Sequence, residues 1–196
     1  SQIFSTEGFL EAATRMVDVY AKAFVGGEPF TLNLGGGFGI AYTESDHPMD
    51  VAELITTIVD HVAQECAQRG LPIPDLACEP GRVISGPAGV TLYTVGVTKP
   101  VSVHEGDAVA TRLYVSVDGG MSDNARPALY GAHYSARIAS RQSDVAPELV
   151  RIVGKHCESG DIVVDAEFLP GDVAPGDIVA VAATGAYCHS LASNYN

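Results

Sequence analysis

Several short blocks of this chain combine glycine, carboxylate, guanidinium and thiol groups at spacings suited to chemistry. The first is Gly35-Gly36-Gly37-Phe38-Gly39, which follows the apolar run 31–34. Consecutive glycines remove side chains and let backbone N–H groups converge on an anion, with phosphate the usual guest. A plain tight turn that needs positive φ accounts for the same residues, and both readings stand at this level. The second block is Glu79-Pro80-Gly81-Arg82. Glu79 can act as a general base or as the partner of a protonated ring nitrogen. Gly81 can offer its N–H to an anion, and Arg82 can fork onto a carboxylate. The competing account is a Glu–Arg surface pair beside a turn.

Three further blocks lie downstream. Asp118-Gly119-Gly120-Met121-Ser122-Asp123-Asn124 is turn-rich and leads into Arg126-Pro127-Ala128-Leu129-Tyr130. Arg126 and Tyr130 could both face an anionic ligand, although an Arg and a Tyr four apart more often sit on the surface and in the core. Gly154-Lys155-His156-Cys157-Glu158-Ser159-Gly160-Asp161 sets a thiol beside a carboxylate. That pair suits a proton donor and an ammonium-binding group, while a small buried cysteine is the plainer account. The last block, residues 185–196, is aromatic and polar and includes Tyr187. The six histidines stand at no metal-ligand spacing, so no metal is expected, and there is no Ser-His-Asp nucleophile elbow.

The surrounding periodicity predicts what carries these groups. Apolar residues at helical spacing predict a helix over 9–24, capped by Ser5 or Thr6 and stopped by Gly26-Gly27. A strand over 31–34 runs into the glycine loop. Asp50 with Glu53 predicts the start of a second helix whose buried stripe is Val51, Leu54, Ile55, Ile58, Val59, Val62 and Cys66, with His61 in solvent. A strand over 75–78 runs into Glu79. Helix and strand alternating through short loops is α/β architecture, in which ligands sit at the strand C-terminal ends. After about residue 88 the pattern turns β-rich, with runs at 90–97, 108–118, 130–138, 150–153 and 177–183 and turns at 105–107, 170–172 and 175–177. That predicts a mainly antiparallel β domain over 89–196, with the boundary near 85–95.

Composition narrows the function. Lys and Arg total 11 against 24 acidic residues, a net charge of −13, which repels nucleic acid and anionic membrane surfaces. No apolar run has the length of a membrane span, and no secretory leader is visible. The four cysteines are scattered, as expected of reduced thiols in a cytoplasm. The chain opens without Met and stops at Asn196, which suggests a piece of a longer protein.

Taken together and in this order, GGGFG, EPGR, DGGMSDNARPALY, KHCESGD and GAYCHSLASNYN resemble the fold type III pyridoxal-phosphate decarboxylases, most closely the diaminopimelate branch. The resemblance covers essentially the whole chain. It implies an α/β plus β protein: an alanine-racemase-like (β/α)8 TIM barrel, of which residues 1–88 are the C-terminal portion, followed by a mainly antiparallel β-barrel or sandwich. It implies pyridoxal 5'-phosphate as cofactor, an amino-acid substrate, and a homodimer with shared active sites. Gly36, Gly37, Gly81 and Arg82 then bind the cofactor phosphate, Glu79 pairs with the pyridine nitrogen, and Tyr187 lies against the cofactor. Arg82, Arg126 and Tyr130 hold substrate carboxylates. Cys157 protonates the carbanion after carbon dioxide leaves, and Glu158 reads the distal amino group, both reaching the partner's site. The implied activity is decarboxylation of meso-2,6-diaminopimelate to lysine.

The family's cofactor-bearing lysine lies upstream of residue 1, and only Lys22, Lys99 and Lys155 are present here. The isolated chain is therefore expected to be inactive. Three alternatives are a decarboxylase of arginine, ornithine or carboxynorspermidine, a non-catalytic homologue acting as a binding module, and a phosphate-binding barrel of unrelated chemistry, which accounts for GGGFG and for nothing after residue 118. The Arg126 and Glu158 motifs count against the first, and the retained motif set counts against the second.

Overall fold

The computed structural model describes residues 2–106 and 108–194. Ser1, Asp107 of the expected 105–107 turn, and Tyr195 and Asn196 of the closing motif lie outside the described residues. The chain divides into two compact units. One is the chain up to Ala41 together with Asp46–Ile84, and the other is Tyr42–Ser45 with the chain from Ser85 onward.

The first unit contains α1 (Thr6–Ala23), β1 (Leu32–Asn33), α2 (Val51–Arg69), β2 (Leu76–Ala77) and the start of α3 (Arg82–Ser85). β1 and β2 pair in parallel, with Leu32 opposite Leu76 and Asn33 opposite Ala77. Phe9, Ala13, Val17 and Tyr20 of α1 and Leu54, Ile58, Val62 and Cys66 of α2 form one buried cluster with Leu32 and Phe38. Their spacing of three and four is the helical period that puts an apolar stripe on one face. Asp50 caps α2 as expected, its Oδ1 accepting from the Glu53 N–H at 3.0 Å. Ser5 occupies the N-cap position of α1, and its side chain makes no capping hydrogen bond. Two expectations are corrected. Val59 is 45% exposed, because one residue beyond Ile58 it turns about 100° off the buried line. His61 is part-buried rather than fully in solvent, and its Nε2 shares a 2.8 Å hydrogen bond with Thr14 Oγ1 on α1.

The second unit is built on β3 (Thr91–Glu105), β4 (Ala108–Val117), β5 (Ala136–Ile138), β6 (Pro147–Val153), β7 (Ile162–Pro170) and β8 (Ile178–Val181), with α4 (Arg126–Tyr130) and a 3-10 turn at His189–Leu191. The strands form one sheet in the order β5-β8-β3-β4-β6-β7. Every pair is antiparallel except β4 with β6, so the sheet is mixed. The edge strands approach one another, and Ala136 N–H on β5 donates to Glu167 Oε2 on β7 at 2.9 Å, so the sheet is nearly closed. Val115, Val150, Ile152, Val163, Val164, Leu169, Val179 and Val181 supply much of its core.

The strand expectations change in three places. β3 continues past residue 97 to Glu105, through Pro100. Within β3, only Thr91–Thr94 pair with β8, so Pro100 lies where β3 has β4 on one side alone, a position that tolerates a missing N–H. Residues 130–138 are not one strand. Pro127 pre-sets the first turn of α4, Gly131 ends it in the left-handed region at φ 59°, and only Ala136–Ile138 is extended. β7 is an additional strand, carried by the β-rich run Ile162-Val163-Val164. Among the described residues no helix is long and apolar enough to cross a membrane.

Candidate active site

In the first unit, the parallel pairing of β1 and β2 brings the two loops after them together. Leu34 N–H donates to Ala77 O at 2.9 Å and Glu79 N–H donates to Gly35 O at 2.7 Å. Gly36 then lies directly against the backbone carbonyl of Glu79, so closely that a Cβ there would collide with it. No other residue type fits at 36 without moving the Glu79 backbone. Gly35 and Gly37 hold positive φ values of 76° and 102°, which only glycine adopts readily.

Asn33, which sequence reasoning missed, ties the loop to the carboxylate. Its Nδ2 donates to Glu79 Oε1 at 2.9 Å, and its Oδ1 accepts from Gly35 N–H at 2.8 Å. The Gly37 carbonyl accepts from Ile3 N–H at 2.9 Å. The loop is thus held through its carbonyls and the Gly35 amide. Among the described residues the Gly36 and Gly37 amides donate to no acceptor. Rigid backbone, unclaimed amides and no side chain in the way suit a phosphate group, and a pinned carboxylate next to them suits a cationic ring nitrogen. The residues present therefore fit pyridoxal phosphate.

Glu79 and Arg82 take different partners. Arg82 opens α3 and its Nη1 donates to Gln2 Oε1 at 2.5 Å. The Gly81 N–H, expected to meet an anion, donates to the Glu79 carbonyl at 2.9 Å and closes the turn.

In the second unit, Arg126 and Tyr130 reverse their usual places. Arg126 is buried and Tyr130 is 67% exposed. The Arg126 guanidinium carbon lies 4.7 Å from the centre of the Tyr42 ring, 5.6 Å from Tyr134 and 5.9 Å from Tyr187. Nη1 donates to the Tyr134 hydroxyl at 2.5 Å. Among the described residues no carboxylate pairs with Arg126. A buried cation faced by aromatic rings and one hydroxyl can take an anionic partner at low desolvation cost, because the cost of burying it is already met by the fold. Tyr187 is partly exposed and strained at φ 69°, a backbone state that non-glycine residues adopt mainly at special sites.

Cys157 and Glu158 are both exposed, which removes the account of Cys157 as a small buried residue. They stand on a turn stitched to the loop 118–124, where Lys155 N–H donates to Gly119 O at 3.0 Å and His156 Nε2 shares a 2.7 Å hydrogen bond with Ser122 Oγ. Tyr42, Tyr134 and Asp161 also belong to this unit's polar cluster, and sequence reasoning gave none of them a role. No local signal singles out a tyrosine that will later meet a distant arginine.

The family model for the C-terminal sheet domain of pyridoxal-dependent decarboxylases matches residues 19–185. The chain belongs to this family. Among curated relatives, diaminopimelate decarboxylase of Mycobacterium tuberculosis H37Rv is 52% identical over 203 residues, covering 100% of this chain and 44% of that protein. The Bacillus subtilis enzyme of the same name is 45% identical over 201 residues, covering 100% and 43%. Among solved structures, Helicobacter pylori diaminopimelate decarboxylase complexed with L-lysine superposes with a TM-score of 0.80 at 29% identity, covering 100% of this chain and 44% of that one. This family member thus spans less than half the length of the curated relatives it matches.

Proposed function

We propose that this chain is the C-terminal-side portion of a cytoplasmic pyridoxal-phosphate-dependent carboxy-lyase that converts meso-2,6-diaminopimelate to L-lysine and carbon dioxide. The observation that carries the proposal is the juncture of Gly36 with Glu79. A glycine loop, two of whose amides donate to no acceptor among the described residues, packs against the backbone carbonyl of Glu79, and Asn33 ties the Glu79 carboxylate to the same loop, in a chain about half identical to diaminopimelate decarboxylases along its whole length. On this reading residues 1–88 are the C-terminal part of a TIM barrel and residues 89–196 a β domain.

Pyridoxal phosphate, when bound, supplies a cationic ring that accepts the electron pair left as carbon dioxide departs. Gly36 and Gly37 hold its phosphate through their amides, beside the turn formed by Gly81 and Arg82. Glu79, oriented by Asn33, favours a proton on the ring nitrogen. Tyr187 gives the ring an aromatic neighbour. Arg82, Arg126 and Tyr130 bind substrate carboxylates, and the caged guanidinium of Arg126 is oriented before a substrate arrives. Glu158 accepts hydrogen bonds from the distal ammonium. Cys157 gives its thiol proton to the carbon that has lost its carboxylate. Cys157 and Glu158 serve the site of the second copy in a homodimer.

The deciding experiment supplies the full-length parent with cofactor and each of meso-diaminopimelate, ornithine and arginine. Lysine and carbon dioxide from diaminopimelate are expected. Putrescine or agmatine as the preferred product overturns the substrate assignment. The 196-residue chain alone is expected to give no turnover and no borohydride-stable attachment of the cofactor to a specific lysine. Turnover together with such an attachment overturns that expectation.

A further inference from the structure

The loop 118–124 holds conspicuous polar residues for which the proposed chemistry has no task. One of its partners is the turn that carries Cys157 and Glu158, and the two are joined through Asp161. This carboxylate is only 2% exposed. Its Oδ1 accepts from Met121 N–H at 2.6 Å and its Oδ2 accepts from His156 N–H at 2.7 Å. The Asp161 backbone closes the turn as well, its carbonyl accepting from Gly154 N–H at 2.8 Å and its N–H donating to Glu158 O at 3.1 Å.

The carboxylate occupies the space that Cβ atoms would fill on two glycines. A Cβ on Gly120 would come within 2.5 Å of Asp161 Oδ1, and one on Gly154 would come closer still. The far side of the loop is anchored to β3. Thr94 N–H donates to Asp118 Oδ1 at 2.8 Å, which holds the Asp118 carboxyl below its ordinary range, and the Tyr93 hydroxyl donates to Asp123 Oδ2. Asp161 therefore bridges an anchored loop to an exposed turn. Among the described residues no cation pairs with it. Charge-assisted bonds from backbone amides hold it instead, and these are about twice as strong as neutral ones.

We infer that Asp161 is a positioning residue. It sets the turn 154–160 against the loop 118–124 and thereby fixes the directions of the Cys157 thiol and the Glu158 carboxylate. The inference rests on the roles proposed above for those two residues. Asn at 161 can serve one of the two amides, but it turns an NH2 donor toward the other.

The test uses the full-length parent enzyme with bound pyridoxal phosphate. Asp161→Asn is expected to keep the cofactor's bound absorbance and the helical content, and to lower kcat by about 10-fold or more. Exchange of the Met121 and His156 amides should quicken by about 10-fold, the change expected when a charge-assisted bond is lost. In a Cys157→Ser background, Asp161→Asn should lower kcat by less than about 3-fold, because coupled residues are non-additive. Gly154→Ala pushes a methyl group into the carboxylate, so it gives the same pattern without altering Asp161, and it carries the test if Asp161→Asn does not fold. Losses that multiply with Cys157→Ser overturn the inference, and so does kcat within about 2-fold of the parent in both variants. If Cys157→Ser itself leaves kcat unchanged, the role proposed for Cys157 falls. Amide exchange then decides the positioning alone: faster exchange upholds it and unchanged exchange overturns it.

Discussion

The Arg126 guanidinium donates to the Tyr134 hydroxyl at 2.5 Å, and both side chains are buried. The same hydroxyl lies 3.5 Å from Cys188 Sγ, and the Tyr134 ring stands edge-on to Tyr42 with centroids 5.1 Å apart. Burial pushes the Tyr134 phenol well above its ordinary pKa, and burial raises the Cys188 thiol as well. Both groups stay protonated at neutral pH, so Arg126 is the charged member of this trio.

Tyr134→Phe removes the acceptor and leaves a buried guanidinium donor without it. The expected cost is about 1–3 kcal/mol of stability. If Arg126 binds the substrate carboxylate that does not react, as proposed, KM for diaminopimelate should rise by about 10-fold with kcat changed much less. Thermal melts and steady-state kinetics of the full-length parent check both outcomes. An unchanged KM would mean that Tyr134 does not hold Arg126 for substrate.

Gly36→Ala drives a methyl group into the Glu79 carbonyl. The loop must shift, and the affinity for pyridoxal phosphate should fall by about 10-fold or more, the scale of a misplaced binding loop. Cofactor titration followed by absorbance measures this. Gly81→Ala makes a useful comparison, because a Cβ there meets nothing within 4 Å, and it should lose much less.

Cys157→Ala and Glu158→Gln should separate kinetically. On the proposed roles, losing Cys157 as proton donor should lower kcat by about 10²-fold, within the usual range for general acid catalysis. Losing Glu158 as the proposed ammonium partner should raise KM for diaminopimelate more than it lowers kcat. Comparable effects of both substitutions on kcat alone would contradict the division of roles.

Acid stability should follow Asp177. Arg141 donates to both of its oxygens at 2.8 Å, through Nε and Nη2, and this clamp lowers its pKa to about 2. A carboxylate whose folded pKa lies below its unfolded value stabilises the fold above the unfolded pKa, and that contribution fades as pH falls through the folded value. Stability should therefore decline between about pH 4 and pH 2. Asp177→Asn should cost about 1–3 kcal/mol at neutral pH and little at pH 2. Urea unfolding across that range, followed by far-ultraviolet circular dichroism, checks the sign.

Part of this architecture was legible in the residues themselves. The stripe of Leu54, Ile58, Val62 and Cys66, the Asp50 cap and the strand-end placement of GGGFG and EPGR follow from signals only a few residues long. The chemical blocks were legible as blocks, because glycine, carboxylate and thiol groups declare their chemistry by type. Other features needed the fold. The extension of β3 through Pro100, the parallel pairing of β4 with β6, the burial of Arg126 beneath Tyr42 and Tyr134, and the lodging of Asp161 between Gly120 and Gly154 all depend on partners distant in the chain. Periodicity reports which face of an element is apolar. It carries no information about which distant residue arrives on that face, because register and burial are decided only when the elements pack.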